Sequence, residues 1–314
     1  MRNFKIGIIG FGNIGKKRFE AIKKIKRPKI EIVYISDIDI HKKTPKGIPF
    51  ISDWKKVKLV DVDLIIISTP TNLTEIIANE LSKYFNLLIE KPITTKLKLL
   101  NKITNKSDKN KKILKTGYNL RFDEGLMIVK KIIDTNKLGK IYYCKITYAN
   151  GVAKSNTNNV GSLIDMGVHS LNLIQWFFDK SSIKVMSKFS QNNEFSNHKK
   201  PDNGFVIFKI DKAIGFLHHG FCTWKNQFNL EISGSKGYAR VSSLPKWGDQ
   251  IVSIGLRKYP SGYPNIKVWK FNKDDSWRRE LIYVIDLISS KKNNYKNINQ
   301  EGKKTLELLN KCKN

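Results

Sequence analysis

The hexapeptide GFGNIG, residues 10–15, follows the apolar run FKIGII and opens the segment GKKRFEAIKKI, whose apolar residues recur at helical spacing. A strand, a glycine-rich turn and a helix in that order leave few folds open. Gly10 permits a tight turn, Gly12 lets backbone approach a pyrophosphate, and Gly15 lets the helix pack on the strand. The helix N-terminus then offers free N–H groups and a positive dipole end to phosphates. Gly10, Phe11, Gly12, Asn13, Ile14 and Gly15 are therefore candidate cofactor contacts. Asp37 ends the next apolar run, IEIVYIS, where a carboxylate accepts hydrogen bonds from the adenosine ribose and repels a 2′-phosphate. That favours NAD over NADP. The other reading of Asp37 is a turn or capping residue, a role that Asp39 in the same SDID suits better.

Further apolar runs at 62–69, 86–91 and 112–118 alternate with helix-like segments such as TEIIANELSKYF. Strands apolar on both faces, alternating with helices, predict a parallel sheet covered on both sides. The third run ends in STPTN, where Pro70 stops the strand and leaves a loop at the carboxyl edge of the sheet. Ser68, Thr69, Pro70 and Asn72 are expected to contact the cofactor there, the alternative for Ser68 and Asn72 being turn residues. After residue 118 the rhythm changes. A helix at about 123–137, the alternating strand IYYCKITYA, a Gly/Asn-rich loop and a helix at about 162–178 precede KVMSKFS, NGFVIFKI, AIGFLHHGFCTW, FNLEISGSKGYARVS and a strand near NIKVWKF. Two helices close the chain. The expected architecture is an α/β Rossmann domain over 1–118 and an α+β domain with a largely antiparallel open sheet over 119–314.

With 58 Lys and Arg against 27 Asp and Glu, the net charge of +31 raises the question of a nucleic-acid partner. The excess is mostly Lys, spread along the chain and accompanied by Asn and Ile, which reads as coding bias and a solvated surface. Cys144, Cys222 and Cys312 lie far apart and show no metal or redox spacing. No apolar run approaches the roughly 18 residues that span a bilayer, so a cytoplasmic protein without nucleic-acid or membrane partners is expected.

The stretch LIEKPIT, residues 88–94, ends an apolar run with Glu90, Lys91 and a proline. At the carboxyl end of a parallel strand this places the charges on the ligand side of the sheet. The stretch GSLIDMGVHSLNLIQWFF carries Asp165 and His169 four residues apart, on one helix face. With GFGNIG, TPTN and GYNLRFD, these stretches resemble the Gfo/Idh/MocA family of glucose-fructose oxidoreductases and inositol dehydrogenases over essentially the whole chain. The resemblance implies that Lys91, Asp165 and His169 meet at the nicotinamide and the oxidised carbon. It also places Glu90 beside the cofactor, sets the substrate as a sugar, sugar derivative or sugar nucleotide, and makes the assembly a homodimer or homotetramer through the second sheet. A glycosidase that holds NAD for transient oxidation shares the pattern, as does a binding protein without turnover. Tyr118 and Arg121 either line the sugar pocket or pack the domain junction. The chain has Thr74 and Asn172 where members often have histidine and aspartate, which alters expected sugar contacts. His218 and His219, adjacent on a strand, point to opposite faces. The WKN at 224–226 resembles members associated with surface-polysaccharide and nucleotide-sugar gene sets.

Overall fold

A computed structural model of the chain describes residues 3–39, 45–151, 160–193, 200–259, 262–290 and 295–313. Most of the expected Gly/Asn-rich loop, residues 152–159, lies outside the described residues. Among the described residues, seven α-helices run in chain order as α1 (Asn13–Lys23), α2 (Thr71–Leu81), α3 (Leu97–Lys109), α4 (Glu124–Asp134), α5 (Val168–Phe177), α6 (Ser276–Ser289) and α7 (Tyr295–Cys312). No helix among the described residues is long and apolar enough to cross a membrane.

The first compact unit comprises Met1–Asn119 and Asp275–Leu306. Its strands β1 (Phe4–Ile9), β2 (Ile30–Ser36), β3 (Phe50–Ile51), β4 (Leu64–Ile67), β5 (Leu87–Glu90) and β6 (Leu114–Gly117) form one parallel sheet in the order β3-β2-β1-β4-β5-β6. All four residues of β4 are fully buried, as a central strand covered on both faces requires. The chain reverses direction across the sheet between β1 and β4, and a crevice opens at such a switch point, beyond the carboxyl ends of the strands. Gly10 and Ser68 follow those two strand ends directly.

Helix α6 buries Leu281, Val284 and Ile285 in one apolar cluster with Phe19 and Ile22 of α1 and with β1 and β4. The expected division at 118/119 placed this helix in the second domain. The structure returns residues 275–306 to the first unit instead, because the apolar stripe of α6 finds its cover on α1.

The second unit comprises Leu120–Asp274 and Glu307–Asn314. Its strands are β7 (Ile141–Gly151), β8 (Ile183–Gln191), β9 (Asn203–Ile210), β10 (Ala213–Thr223), β11 (Gln227–Gly234), β12 (Gly237–Ser242), β13 (Gln250–Leu256) and β14 (Asn265–Phe271). They form one sheet in the order β14-β13-β12-β11-β7-β10-β9-β8, antiparallel except where β7 meets β10. FNLEISGSKGYARVS folds back at Ser235–Lys236, between the paired Gly234 and Gly237, to make β11 and β12. The strand β13 was not anticipated. Alternation on β10 puts Leu217 and His219 on the helix-covered face, and Ile214, Phe216 and His218 on the opposite one.

Candidate active site

The glycine turn shows which of its glycines the fold itself demands. Gly10 has φ +89°, and a Cβ there would lie 2.7 Å from the Ser68 backbone. A Cβ on Gly15 would lie 2.1 Å from the Gly10 carbonyl oxygen. A Cβ on Gly12 would meet nothing within 4 Å, so that face is open to a ligand. Helix α1 starts at this point with no side-chain cap and no acidic residue in its first turn. Its N–H groups and dipole are left for an anion. The Ser68 hydroxyl at the end of β4 is buried without a hydrogen-bond partner. These features fit NAD.

Asp37 shows the turn role that was its alternative reading. One carboxylate oxygen accepts from the Phe11 N–H at 2.6 Å, and the other accepts from the Asp39 N–H at 3.1 Å. The carboxylate therefore braces the glycine turn. The Phe11 ring packs edge-on against Phe19 at 5.8 Å, so Phe11 presents only its backbone to the turn, while Asn13 is exposed. Helix α2 begins directly after Pro70, which puts Asn72 in its first turn rather than in a loop. Thr74 is buried and donates to the Thr69 carbonyl at 2.8 Å. It clips the turn internally.

Lys91 follows β5, and Glu90 before it belongs to a buried ion network. Arg18 on α1 is fully buried; its Nε donates to the Glu90 carboxylate at 2.7 Å and its Nη1 to Glu280 on α6 at 2.6 Å. Burial alone would lower the Arg18 pKa, but Glu90 and Glu280 reverse that and hold it above the usual value. Burial, and then the neighbouring Glu90, raises Glu280, since two carboxylates share one cation. Glu90, expected beside the cofactor, thus has its carboxylate on Arg18, where it fixes the strand end that carries Lys91. Tyr118 is buried in the same unit.

In the second unit, Asp165 and His169 stand on a composite helix. Residues Leu163–Gly167 form a π-helical turn, with the Val168 N–H returning to the Leu163 carbonyl five residues back, and α5 continues from Val168. Such turns insert a residue and recur at functional sites. Asp165 lies in the π turn and His169 in the first turn of α5. The Tyr148 ring meets the His169 ring edge-on at 5.6 Å, and the Tyr148 hydroxyl accepts from the Lys246 ammonium at 2.9 Å. Arg121 donates through Nε to the Asn172 side-chain oxygen at 2.7 Å, which ties it to α5. Asn172, which stands where members of the resembled family often have aspartate, is itself buried.

His219, its role open in the sequence, lies beneath the π turn. Its Nδ1 is 2.9 Å from the Ser162 hydroxyl, and a Cβ on Gly167 would be 3.4 Å from its ring. Burial, reinforced by His218, lowers its pKa to about 3. His218 stacks on Phe205 at 4.5 Å. The native imidazole of His219 therefore stays neutral, while the unfolded chain protonates it near pH 6.5. The unfolded state binds more protons between those values, so this stabilisation is complete above about pH 6.5 and is lost as pH falls toward 3. Asp123, raised to about 6 by burial, contributes with the opposite sign. Comparing His219→Asn with the parent cancels the Asp123 effect. Urea unfolding across pH 4.5–6.5 is expected to show a slope smaller by about 1 kcal/mol per pH unit in the variant; equal slopes would refute the buried neutral state.

Residues 4–118 match the oxidoreductase family with an NAD-binding Rossmann fold, and residues 126–240 match the GFO/IDH/MocA C-terminal domain. The chain is 23% identical over 259 residues to an inositol 2-dehydrogenase/D-chiro-inositol 3-dehydrogenase of Lacticaseibacillus casei, covering 78% of this chain and 73% of that protein. It is 25% identical over 283 residues to a glucose-6-phosphate 3-dehydrogenase of Bacillus subtilis, covering 83% and 76%. The WlbA dehydrogenase from Bordetella pertussis, solved in complex with NADH and UDP-GlcNAcA, shares the fold with a TM-score of 0.77 at 18% identity, covering 99% of this chain and 95% of that one. With both family domains matched in order, on a sheet whose glycine turn fits the dinucleotide, the chain belongs to the Gfo/Idh/MocA family of NAD-binding oxidoreductases.

Proposed function

We propose that the chain transfers a hydride between NAD and a hydroxyl-bearing carbon of a sugar, sugar derivative or sugar nucleotide. The observation that carries this reading is Asp165 in the π-helical turn followed by His169 in the first turn of α5, in a chain that also carries Lys91 directly after β5. Bound NAD supplies the hydride acceptor. A carbinol carbon releases hydride only as its hydroxyl loses a proton, and His169 takes that proton. Lys91 donates to the same oxygen and offsets its developing charge. Asp165 orients and balances the two. The names of the relatives, inositol 2-dehydrogenase and glucose-6-phosphate 3-dehydrogenase, support the substrate class.

The test is a panel of sugars, polyols and sugar nucleotides followed by reduced-cofactor absorbance, run with NAD and with NADP. At least one member is expected to reduce NAD, and NAD is expected to outperform NADP because Asp37 repels a 2′-phosphate. No reduction across the panel would count against the enzyme reading, and equal use of NADP against the role of Asp37.

The helix-free face of the second sheet exposes Ile214 beside its strand partner Tyr143, and Phe189 near the edge. Apolar positions on an open antiparallel face favour self-association through it, as a homodimer or homotetramer.

A further inference from the structure

Beside the proposed reaction pair lies a cation that the hydride-transfer reading leaves without a task. The loop between β12 and β13 makes a short 3₁₀ turn at Pro245–Trp247. Gln250 braces this loop by donating to Asp123 at 3.0 Å. The turn delivers the Lys246 ammonium to the Tyr148 hydroxyl at 2.9 Å, and to a point 4.5 Å from the centre of the Trp247 ring. Tyr148 is buried and carries His169 against its edge, so Lys246 is two side-chain contacts from the proposed base. Lys246 itself remains open to solvent. The protein crowded about its ammonium lowers the pKa, and the charges of Asp274 and Asp165 oppose that fall. The pull of Asp165 places the ammonium in the same electrostatic neighbourhood as the reaction pair.

An ammonium has three N–H donors. Tyr148 takes one from a side chain that is otherwise exposed, with the Trp247 ring alongside as an apolar wall. A neutral sugar gives no return for holding a cation in partly desolvated surroundings, whereas an oxyanion forms charge-assisted hydrogen bonds with it. We propose that Lys246, flanked by Trp247 and Tyr148, is a substrate subsite that takes an anionic substituent of the sugar, a carboxylate or a phosphate. The proposal rests on the reading of Asp165 and His169 as the reaction site.

The experiment is calorimetric titration of the NADH-loaded protein with glucose, glucuronate and glucose 6-phosphate. At least one acidic probe is expected to bind roughly tenfold or more tighter than glucose, and which one does so separates a carboxylate from a phosphate site. Lys246→Met is expected to erase the preference, and Lys246→Arg to retain it. The net charge of +31 could by itself attract anions, but such a preference would survive the loss of one charge. A preference that persists in Lys246→Met therefore overturns the subsite, as does equal binding of charged and neutral probes, and the sugar reading stands in both cases. If none of the three binds while NADH does, the subsite falls, and the sugar reading is decided separately by the reduction panel. An unchanged thermal unfolding transition in Lys246→Met shows that the variant is folded.

Discussion

Lys91→Ala and His169→Ala are each expected to slow single-turnover NADH formation by roughly a hundredfold or more while NAD binding is retained. Both side chains act on the substrate oxygen in the proposed reaction. The proposed cofactor contacts lie elsewhere, in the glycine turn, the uncapped start of α1 and Asp37. Asp165→Asn is expected to be slow as well, through misoriented partners rather than a lost base. The parent rate should fall in acid as the imidazole takes up a proton, and His169→Ala should lack that limb. The measurement is stopped-flow absorbance with the substrate found in the panel, alongside a fluorescence titration with NAD. Near-normal rates in both alanine variants would mean that the motif persists without turnover.

Arg18→Met is expected to produce the largest loss of stability. It removes the side chain that bonds both Glu90 and Glu280, and leaves the fully buried Glu280 and the partly buried Glu90 without their shared cation. Breaking a buried ion network in this way costs about 3–5 kcal/mol, a fall in melting temperature on the order of 10 °C for a unit of this size. Adding Glu280→Gln relieves part of the stranded charge, so the double variant should melt above the single one. Scanning calorimetry on the three proteins decides the matter. A loss below about 1 kcal/mol, or no recovery in the double variant, would mean that the network is solvated and weak.

What was legible in the sequence follows from how local each signal is. GFGNIG is a backbone requirement written in consecutive residues, and the β-branched runs around it specify a covered parallel sheet by composition alone. The spacing of Asp165 and His169 read as one α-helical face. A π turn alters which carbonyl each N–H reaches and leaves the residue pattern nearly untouched, so the insertion was invisible. Arg18 lies among lysines in GKKRFEAIKK, and nothing local separates a buried guanidinium from the exposed ammoniums beside it. Lys246 sits in a polar turn where a lysine is unremarkable; its partner Tyr148 is far away in sequence. Helix α6 has a clear apolar stripe, but a stripe does not say which of two sheets it will cover.

That return of α6 bears on the order in which the protein is made. The nascent chain emits β1 to β6, with Arg18, long before Glu280 exists, and residues 120–274 must be translated in between. At roughly 5–20 residues per second, the first unit waits on the order of ten to thirty seconds for the helix that seals its apolar cluster and balances its buried cation. The nucleotide-binding unit is therefore completed only after residues 120–274 have had time to fold, although its own strands are translated before them.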